Sequence, residues 1–142
     1  MRRVIVLGSS GSIGVQALDV IRKNPQLFDV VGLATGSNRE VLDAQADEFH
    51  VEHTALGIDE AIDLVDDVDA DIVLNGITGS IGLGPSLAAI RRGRLLALAN
   101  KESLIVGGEL LTERAAEGQI IPVDSEHSAL AQALRSGTSR EV

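Results

Sequence analysis

Short aliphatic runs alternate along this chain with longer segments in which apolar residues recur at helical spacing. The runs are rich in Val, Ile and Leu, as buried strands are, and they cover residues 4–7, 30–34, 71–74, 95–98 and 120–121. Residues 51–56 predict a further short strand. Helices are predicted at residues 13–24, 39–49, 59–65, 86–92 and 104–116, the last interrupted at Gly107 and Gly108, with another helix at 128–134.

Strands that alternate with helices indicate a parallel sheet covered by helices on both faces. At least five strands joined by short loops favour an α/β fold of the Rossmann type, a doubly wound parallel sheet in a three-layer αβα arrangement. In such a sheet, ligands bind at the carboxyl ends of the strands. The residues that follow each predicted strand are therefore the candidates for function.

Composition narrows the class of ligand. The chain has 142 residues, enough for one domain, and a formal charge of −9 with two Phe and no Trp or Tyr. An acidic chain without an aromatic platform is not expected to bind nucleic acid. The absence of Cys excludes thiolate metal sites and fits a cytoplasmic location. No apolar run approaches the length of a membrane span, so we expect no membrane partner.

A glycine-rich loop directly follows the first predicted strand. Gly8, Gly11 and Gly14 have the spacing G-x-x-G-x-x-G rather than G-x-G-x-x-G, and a helix is predicted from Ile13. Glycines let backbone amides approach an anion, and the helix start adds the positive end of its dipole. Three serines add hydroxyl donors: Ser9, Ser10 and Ser12. The loop therefore predicts a pyrophosphate site; the alternative is a turn without a ligand.

The end of the second predicted strand bears on the choice of dinucleotide. NAD enzymes usually place an acid there for the ribose 2′-hydroxyl, whereas this chain has no acid between Ala34 and Glu40. Arg39, together with Ser37 and Asn38, would suit a 2′-phosphate. The segment therefore favours NADP, although Arg39 could also be a solvated residue of a helix that Asn38 caps.

Three later strand ends carry polar residues with two interpretations each. Residues 75–79 could line the ribose–nicotinamide side of a cofactor or form a plain connecting loop. Residues 100–103, Asn-Lys-Glu-Ser, could contact ligand or simply begin a helix. Asp124 and Glu126, two residues apart in an extended segment, could bind one divalent cation. On spacing alone, a helix cap is favoured over a metal site for this pair.

Several strings together resemble one family. Residues 7–14 (Leu-Gly-Ser-Ser-Gly-Ser-Ile-Gly), 98–104 (Leu-Ala-Asn-Lys-Glu-Ser-Leu) and 122–127 (Pro-Val-Asp-Ser-Glu-His) are similar to 1-deoxy-D-xylulose 5-phosphate reductoisomerases, in the same order and at similar spacing. The last two strings are specific, whereas the glycine loop alone is not. Residues 87–91 also match, so the resemblance covers nearly the whole chain.

The resemblance implies a role for each matching residue. NADPH would contact Ser10, Gly11, Ser12, Ile13, Gly36, Ser37, Asn38, Asn100 and Glu102. Mg²⁺ or Mn²⁺ would be bound by Asp124 and Glu126, which reverses the preference for a cap, and the sugar-phosphate substrate would meet the catalytic residues Lys101, Ser125 and Glu126. The implied domains are an NADPH-binding Rossmann domain at residues 1–122 and the start of a catalytic domain at 123–142.

The implied activity is the NADPH-dependent, metal-assisted conversion of 1-deoxy-D-xylulose 5-phosphate to 2-C-methyl-D-erythritol 4-phosphate in non-mevalonate isoprenoid synthesis, by a homodimer when full length. Family members are much longer, so we expect this chain to be an amino-terminal part that binds NADPH without turnover. They also carry an additional strand–helix unit at the position of residues 49–51, which is missing or collapsed in this chain. A basic residue often stands in them where this chain has Ser37. Two alternatives remain: a non-catalytic NADP-binding regulatory module, and another Rossmann NADPH reductase.

Overall fold

The computed structural model describes residues 1–99 and 101–123, without the side chains of residues 101–106. The strands in this part of the chain are β1 (Arg2–Leu7), β2 (Phe28–Thr35), β3 (His53–Leu56), β4 (Ile72–Asn75), β5 (Leu95–Leu98) and β6 (Ile120–Pro122). The α-helices are α1 (Ser12–Lys23), α2 (Arg39–Phe49), α3 (Ile58–Asp67), α4 (Leu83–Arg91) and α5 (Lys101–Arg114), and a 3₁₀ turn, Ser80–Gly82, precedes α4.

All six strands form one parallel sheet in the order β3-β2-β1-β4-β5-β6. The chain first builds outward from β1 through β2 to β3, then crosses back to β4 on the other side of β1. The reversal opens a crevice between the carboxyl ends of β1 and β4, where doubly wound sheets bind ligands. The predicted α/β doubly wound fold is confirmed.

Alternate residues of the strands supply two separate cores. In β1, Val4 and Val6 face one core, and Ile5 and Leu7 face the other, all four with no exposed surface. The first core is closed by α1 and α2, and the second by α3, α4 and α5. Helices therefore cover both faces of the sheet, and its carboxyl edge is left for the loops.

The element bounds lie within about three residues of the predicted ones, and the structure explains two of the departures. The predicted strand 51–56 begins at His53 because α2 ends through His50 in the left-handed region (φ 57°) and the Val51 amide still donates to the Ala46 carbonyl. The predicted interruption of α5 at Gly107 and Gly108 is wrong, since the helix runs through both.

Gly107 serves packing instead of ending a helix. A Cβ built on it would lie 2.4 Å from Leu83 Cδ1, so glycine lets α5 approach the start of α4 closely. The predicted helix 128–134 lies outside the described residues. Among the helices that the structure describes, none is both long and apolar enough to cross a membrane.

Candidate functional site

A cleft of about 260 Å³ opens at the carboxyl ends of β1, β2 and β4. The residues that line it are Gly8, Ser10, Gly11, Ala34, Thr35, Gly36, Gly57, Ile58, Ala61, Gly76, Ile77, Thr78 and Ile81. None of these lining residues is acidic or basic, so their side chains do not repel an anionic ligand. The cleft occupies the crevice at which the strand order reverses, as the sequence predicted for a nucleotide site.

Two glycines of the loop are required by packing within the protein. Gly8 has φ +75°, and a Cβ on it would lie 2.9 Å from the carbonyl carbon of Gly76, across the crevice. A Cβ on Gly14 would lie 2.2 Å from the Gly8 carbonyl oxygen and 2.6 Å from Ser9 Cα. These two glycines therefore let the β1 end, the β4 end and α1 meet at one point.

Gly11 differs from its two neighbours in the motif. Its backbone is extended (φ −82°, ψ 176°), and a Cβ would meet only the Gly8 carbonyl oxygen at an ordinary 3.5 Å. Gly11 is exposed and lines the cleft. No contact inside the described protein requires glycine here, so the missing side chain leaves room on the ligand side.

The amino terminus of α1 carries no side-chain cap and no acid in its first turn. The Gly11 amide donates to the Gly8 carbonyl (3.1 Å) and is thus already engaged within the loop. The amides of Ser12 and Ile13 occupy the first helical positions, where the helix itself offers no acceptor. They and the helix dipole make this terminus suited to an anion.

The start of α2 is arranged differently. Asn38 caps it as predicted, its Oδ1 accepting from the Val41 amide at 3.2 Å, and Glu40 lies in the first turn. This terminus is therefore already satisfied by the protein's own groups, in contrast to that of α1.

The glycine loop is held against β2 and α2 by several hydrogen bonds. The Gly8 and Ser9 amides both donate to the Ala34 carbonyl at 2.9 Å. Gln45 Nε2 donates to the Ser9 carbonyl at 2.9 Å, and the hydroxyls of Ser10 and Thr35 are hydrogen-bonded to each other. These contacts fix the loop relative to the segment that was predicted to receive the 2′-phosphate.

That segment lies at the surface beside the cleft. Gly36 lines the cleft, and Ser37, Asn38 and Arg39 are exposed. No acid stands between the end of β2 and Glu40, so the structure keeps the neutral-to-basic character that the sequence indicated. The side-chain oxygen Oδ1 of Asn38 is occupied by the cap, which leaves the side-chain nitrogen Nδ2 for other contacts.

The residues at the end of β4 and in the loop after it have two different roles. Gly76, Ile77 and Thr78 line the cleft. Asn75 has no exposed surface. Its Nδ2 donates to the Gly82 carbonyl and to Ser86 Oγ, each at 2.8 Å, and its Oδ1 accepts from the Ile77 amide at 3.0 Å. Asn75 therefore shapes the loop and does not itself line the cleft.

Sequence reasoning missed one part of the cleft. Gly57, Ile58 and Ala61, at the start of α3, line it together with Ile81, which has 61% of its surface exposed. In the sequence, the available signal for this part of the cleft was a glycine, Gly57, directly after a predicted strand. In the structure, Gly57 has φ +90°. These apolar groups offer a face for a flat ring, such as a base.

The remaining predicted site residues are not placed. The residues outside the described part of the chain are Asn100, Asp124, Ser125 and Glu126. Helix α5 begins with Lys101 and Glu102, whose side chains are not described. Within residues 1–99 and 101–123, no three His, Asp or Glu side chains are grouped to hold a metal ion. The predicted metal pair therefore stays a prediction.

One ion pair ties together the two helices beside the loop. Arg22 of α1 donates from Nε (2.6 Å) and Nη2 (3.1 Å) to the carboxylate of Glu48 in α2. The hydrogen bond from Arg22 lowers the pKa of the Glu48 carboxyl below its ordinary value. Both side chains are about half exposed (48% and 47%), so the pair contributes little to stability.

Comparison with known proteins identifies the family. The family model for 1-deoxy-D-xylulose 5-phosphate reductoisomerase matches residues 4–61 and 52–108. A protein of that name from Leifsonia xyli is 66% identical over 142 residues, 100% of this chain and 39% of the relative. That alignment is no longer than this chain, so this relative has no extra strand–helix unit near residues 49–51 either.

Solved structures agree with the sequence match. The enzyme from Zymomonas mobilis in complex with NADPH has a TM-score of 0.77 and 30% identity, covering 87% of this chain and 38% of that one. A reductoisomerase complex with NADPH, fosmidomycin and magnesium has a TM-score of 0.78 and 28% identity, covering 87% of this chain and 36% of that one. This chain thus spans about two-fifths of the length of its relatives, and it belongs to the 1-deoxy-D-xylulose 5-phosphate reductoisomerase family.

Proposed function

We propose that the cleft binds NADPH, with the diphosphate at the amino terminus of α1. The observation that carries the proposal is this uncapped helix start, to which Gly11 presents no side chain. The amides of Ser12 and Ile13 and the hydroxyl of Ser10 are the donors that a diphosphate needs. The adenine would lie toward Ile58 and Ala61, because these residues offer apolar surface in the lining of the cleft.

The preferred cofactor is NADPH rather than NADH. No acid follows β2 to bind a ribose 2′-hydroxyl, and Ser37, Asn38 and Arg39 lie exposed beside Gly36. An exposed guanidinium paired with a phosphate contributes a charge-assisted hydrogen bond of about 1.5–3 kcal/mol. We expect Arg39→Ala to weaken NADPH binding at least tenfold and to leave NADH binding unchanged.

Calorimetric titration of the chain and of Arg39→Ala with both cofactors tests this preference. Equal affinities of the unchanged chain for NADPH and NADH would refute it. Equal losses for both cofactors in Arg39→Ala would place Arg39 away from the 2′-phosphate.

For the whole protein, we propose the family's reaction, the conversion of 1-deoxy-D-xylulose 5-phosphate to 2-C-methyl-D-erythritol 4-phosphate in non-mevalonate isoprenoid synthesis. NADPH supplies the hydride, and Mg²⁺ or Mn²⁺ supplies a Lewis acid for the substrate's oxygens. Residues 1–122 would form the cofactor domain and residues 123–142 would begin the catalytic domain. Asn100 and Glu102 would contact the cofactor, Lys101 and Ser125 the substrate, and Asp124 and Glu126 the metal.

A fusion of residues 1–142 to the remaining part of the Leifsonia xyli relative tests the reaction. We expect it to oxidise NADPH only when both the deoxyxylulose phosphate and a divalent metal are present. Binding of NADPH without turnover in the fusion would favour a non-catalytic NADP-binding module, and turnover with another carbonyl substrate would favour a different Rossmann reductase. A homodimeric state and a cytoplasmic location for the whole protein also belong to this proposal.

A further inference from the structure

Thr35, the last residue of β2, is joined to the glycine loop by its side chain. Its hydroxyl is hydrogen-bonded to that of Ser10, which lies 25 positions earlier in the chain. Thr35 lines the cleft, yet only 5% of its surface is exposed. Ser10 lines the same cleft and is one of the donors assigned above to the diphosphate.

The position of Thr35 is fixed by its surroundings. Its carbonyl accepts from the Gly57 amide at 2.9 Å, and β2 pairs with β3 at this residue, where Thr35 lies opposite Leu56. A β-branched side chain in a strand has few χ1 rotamers available. The Thr35 hydroxyl is therefore held in place before any ligand arrives, whereas Ser10 belongs to a loop.

The charge of the ligand determines the direction of the hydrogen bond. A diphosphate oxygen only accepts hydrogen bonds, so Ser10 can contact it favourably only by donating its single proton. The bond to Thr35 must then run from Thr35 Oγ1 to Ser10 Oγ. Successive hydrogen bonds that run in the same direction in this way strengthen one another.

We propose that Thr35 is a positioning residue for cofactor binding, which donates to Ser10 and thereby directs the Ser10 proton to the diphosphate. This inference rests on the proposed binding of NADPH in the cleft. Thr35 acts through Ser10 in this account, so replacing Thr35 matters only while Ser10 has its hydroxyl.

A double-mutant cycle on the 142-residue chain tests the inference, with NADPH affinity as the readout. Loss of a hydrogen bond to a charged group predicts about tenfold weaker binding for Ser10→Ala, and loss of the neutral bond behind it predicts about fivefold for Thr35→Val. The double variant should bind no more weakly than Ser10→Ala alone. Thr35→Ser keeps a hydroxyl at this position, and its affinity for NADPH should lie within about twofold of that of the original chain.

Two further measurements separate positioning from a structural effect. 2′-AMP carries the 2′-phosphate but no diphosphate, so its affinity should be the same in the original chain and in Thr35→Val. Thermal unfolding of each variant shows that it is folded, and Thr35→Ala replaces Thr35→Val if the latter does not fold.

The outcomes distinguish this inference from the function on which it rests. If the original chain does not bind NADPH, both are overturned. If it binds NADPH but the losses in the two single variants multiply in the double variant, Thr35 acts independently of Ser10 and only the positioning role is overturned. Equal weakening of NADPH and 2′-AMP by Thr35→Val would also overturn that role.

Discussion

Replacing Gly14 with alanine should destabilise the protein, whereas replacing Gly11 with alanine should leave its stability unchanged and weaken NADPH binding. The added Cβ at residue 14 would lie 2.2 Å from the Gly8 carbonyl oxygen, a backbone atom that cannot rotate away. The helix α1 must then shift from the sheet, since its contact with the loop has no spare volume. The added Cβ at residue 11 would lie 3.5 Å from the same oxygen and needs no shift.

The expected magnitudes follow from these distances. Overpacking of this kind costs about 1–3 kcal/mol, partly offset by up to about 1 kcal/mol from the better helix propensity of alanine. A net loss of about 1–2 kcal/mol corresponds to a fall of about 4–8 °C in Tm for a domain of this size. Gly11→Ala should change stability by less than about 0.5 kcal/mol but raise the NADPH Kd at least tenfold, about 1.4 kcal/mol.

Thermal unfolding by circular dichroism and calorimetric titration with NADPH measure the two effects on the same samples. Gly108→Ala is the matched control, because a Cβ on Gly108 meets nothing within 4 Å and the residue lies in α5 away from the loop. It should keep the NADPH affinity and, because alanine has the better helix propensity, should raise stability by up to about 1 kcal/mol. An unchanged NADPH affinity in Gly11→Ala would show that the loop does not approach the diphosphate, and an unchanged Tm in Gly14→Ala would refute the packing argument.

Three other changes test separate parts of the account. Glu48→Gln should lower the free energy of unfolding by about 0.5 kcal/mol at neutral pH. Because the hydrogen bond from Arg22 lowers the pKa of Glu48, the stabilisation is complete above the ordinary glutamate pKa and is lost as pH falls through the lowered value, so in urea unfolding the difference between Glu48→Gln and the original chain should shrink as the pH is lowered. Arg94→Met should cost about 3 kcal/mol in urea unfolding, the loss of two hydrogen bonds from a charged donor, because Arg94 is 5% exposed and donates to the Ala70 and Val65 carbonyls at 2.7 and 3.1 Å. A loss below about 0.5 kcal/mol would mean that water takes over these hydrogen bonds in the variant. In the fusion described above, Asp124→Asn should remove most turnover while NADPH affinity is kept, and normal turnover would support a helix cap instead of a metal ligand.

The features that were predicted correctly have local causes. The bounds of α2 were predicted correctly because Asn38 is an N-cap residue and the apolar periodicity ends at Phe49. The position of the cleft followed from a glycine loop between a strand and a helix, since any doubly wound sheet brings such a loop to its carboxyl edge. Short-range patterns were sufficient for both.

The features that were missed depend on contacts between distant residues. In the sequence, Gly107 resembles a helix-breaking residue. In the structure, glycine is needed there because the side chain of Leu83, 24 positions earlier, packs against it. The start of α3 lines the cleft because β3 pairs with β2, and this pairing is not visible in the sequence. The Thr35 hydroxyl had no visible role without its partner Ser10.

The central claim, that a diphosphate binds at the amino terminus of α1, is tested most directly by amide chemical shifts. A ¹⁵N-labelled sample of the chain would be titrated with NADPH and, in parallel, with adenosine. With NADPH, the account predicts the largest shifts at the amides of Ser12 and Ile13, with smaller shifts at Gly36 and Ser37. With adenosine, which has no phosphate, the shifts at Ser12 and Ile13 should be absent. Equal shifts at Ser12 and Ile13 with both ligands, or none with NADPH, would contradict the account.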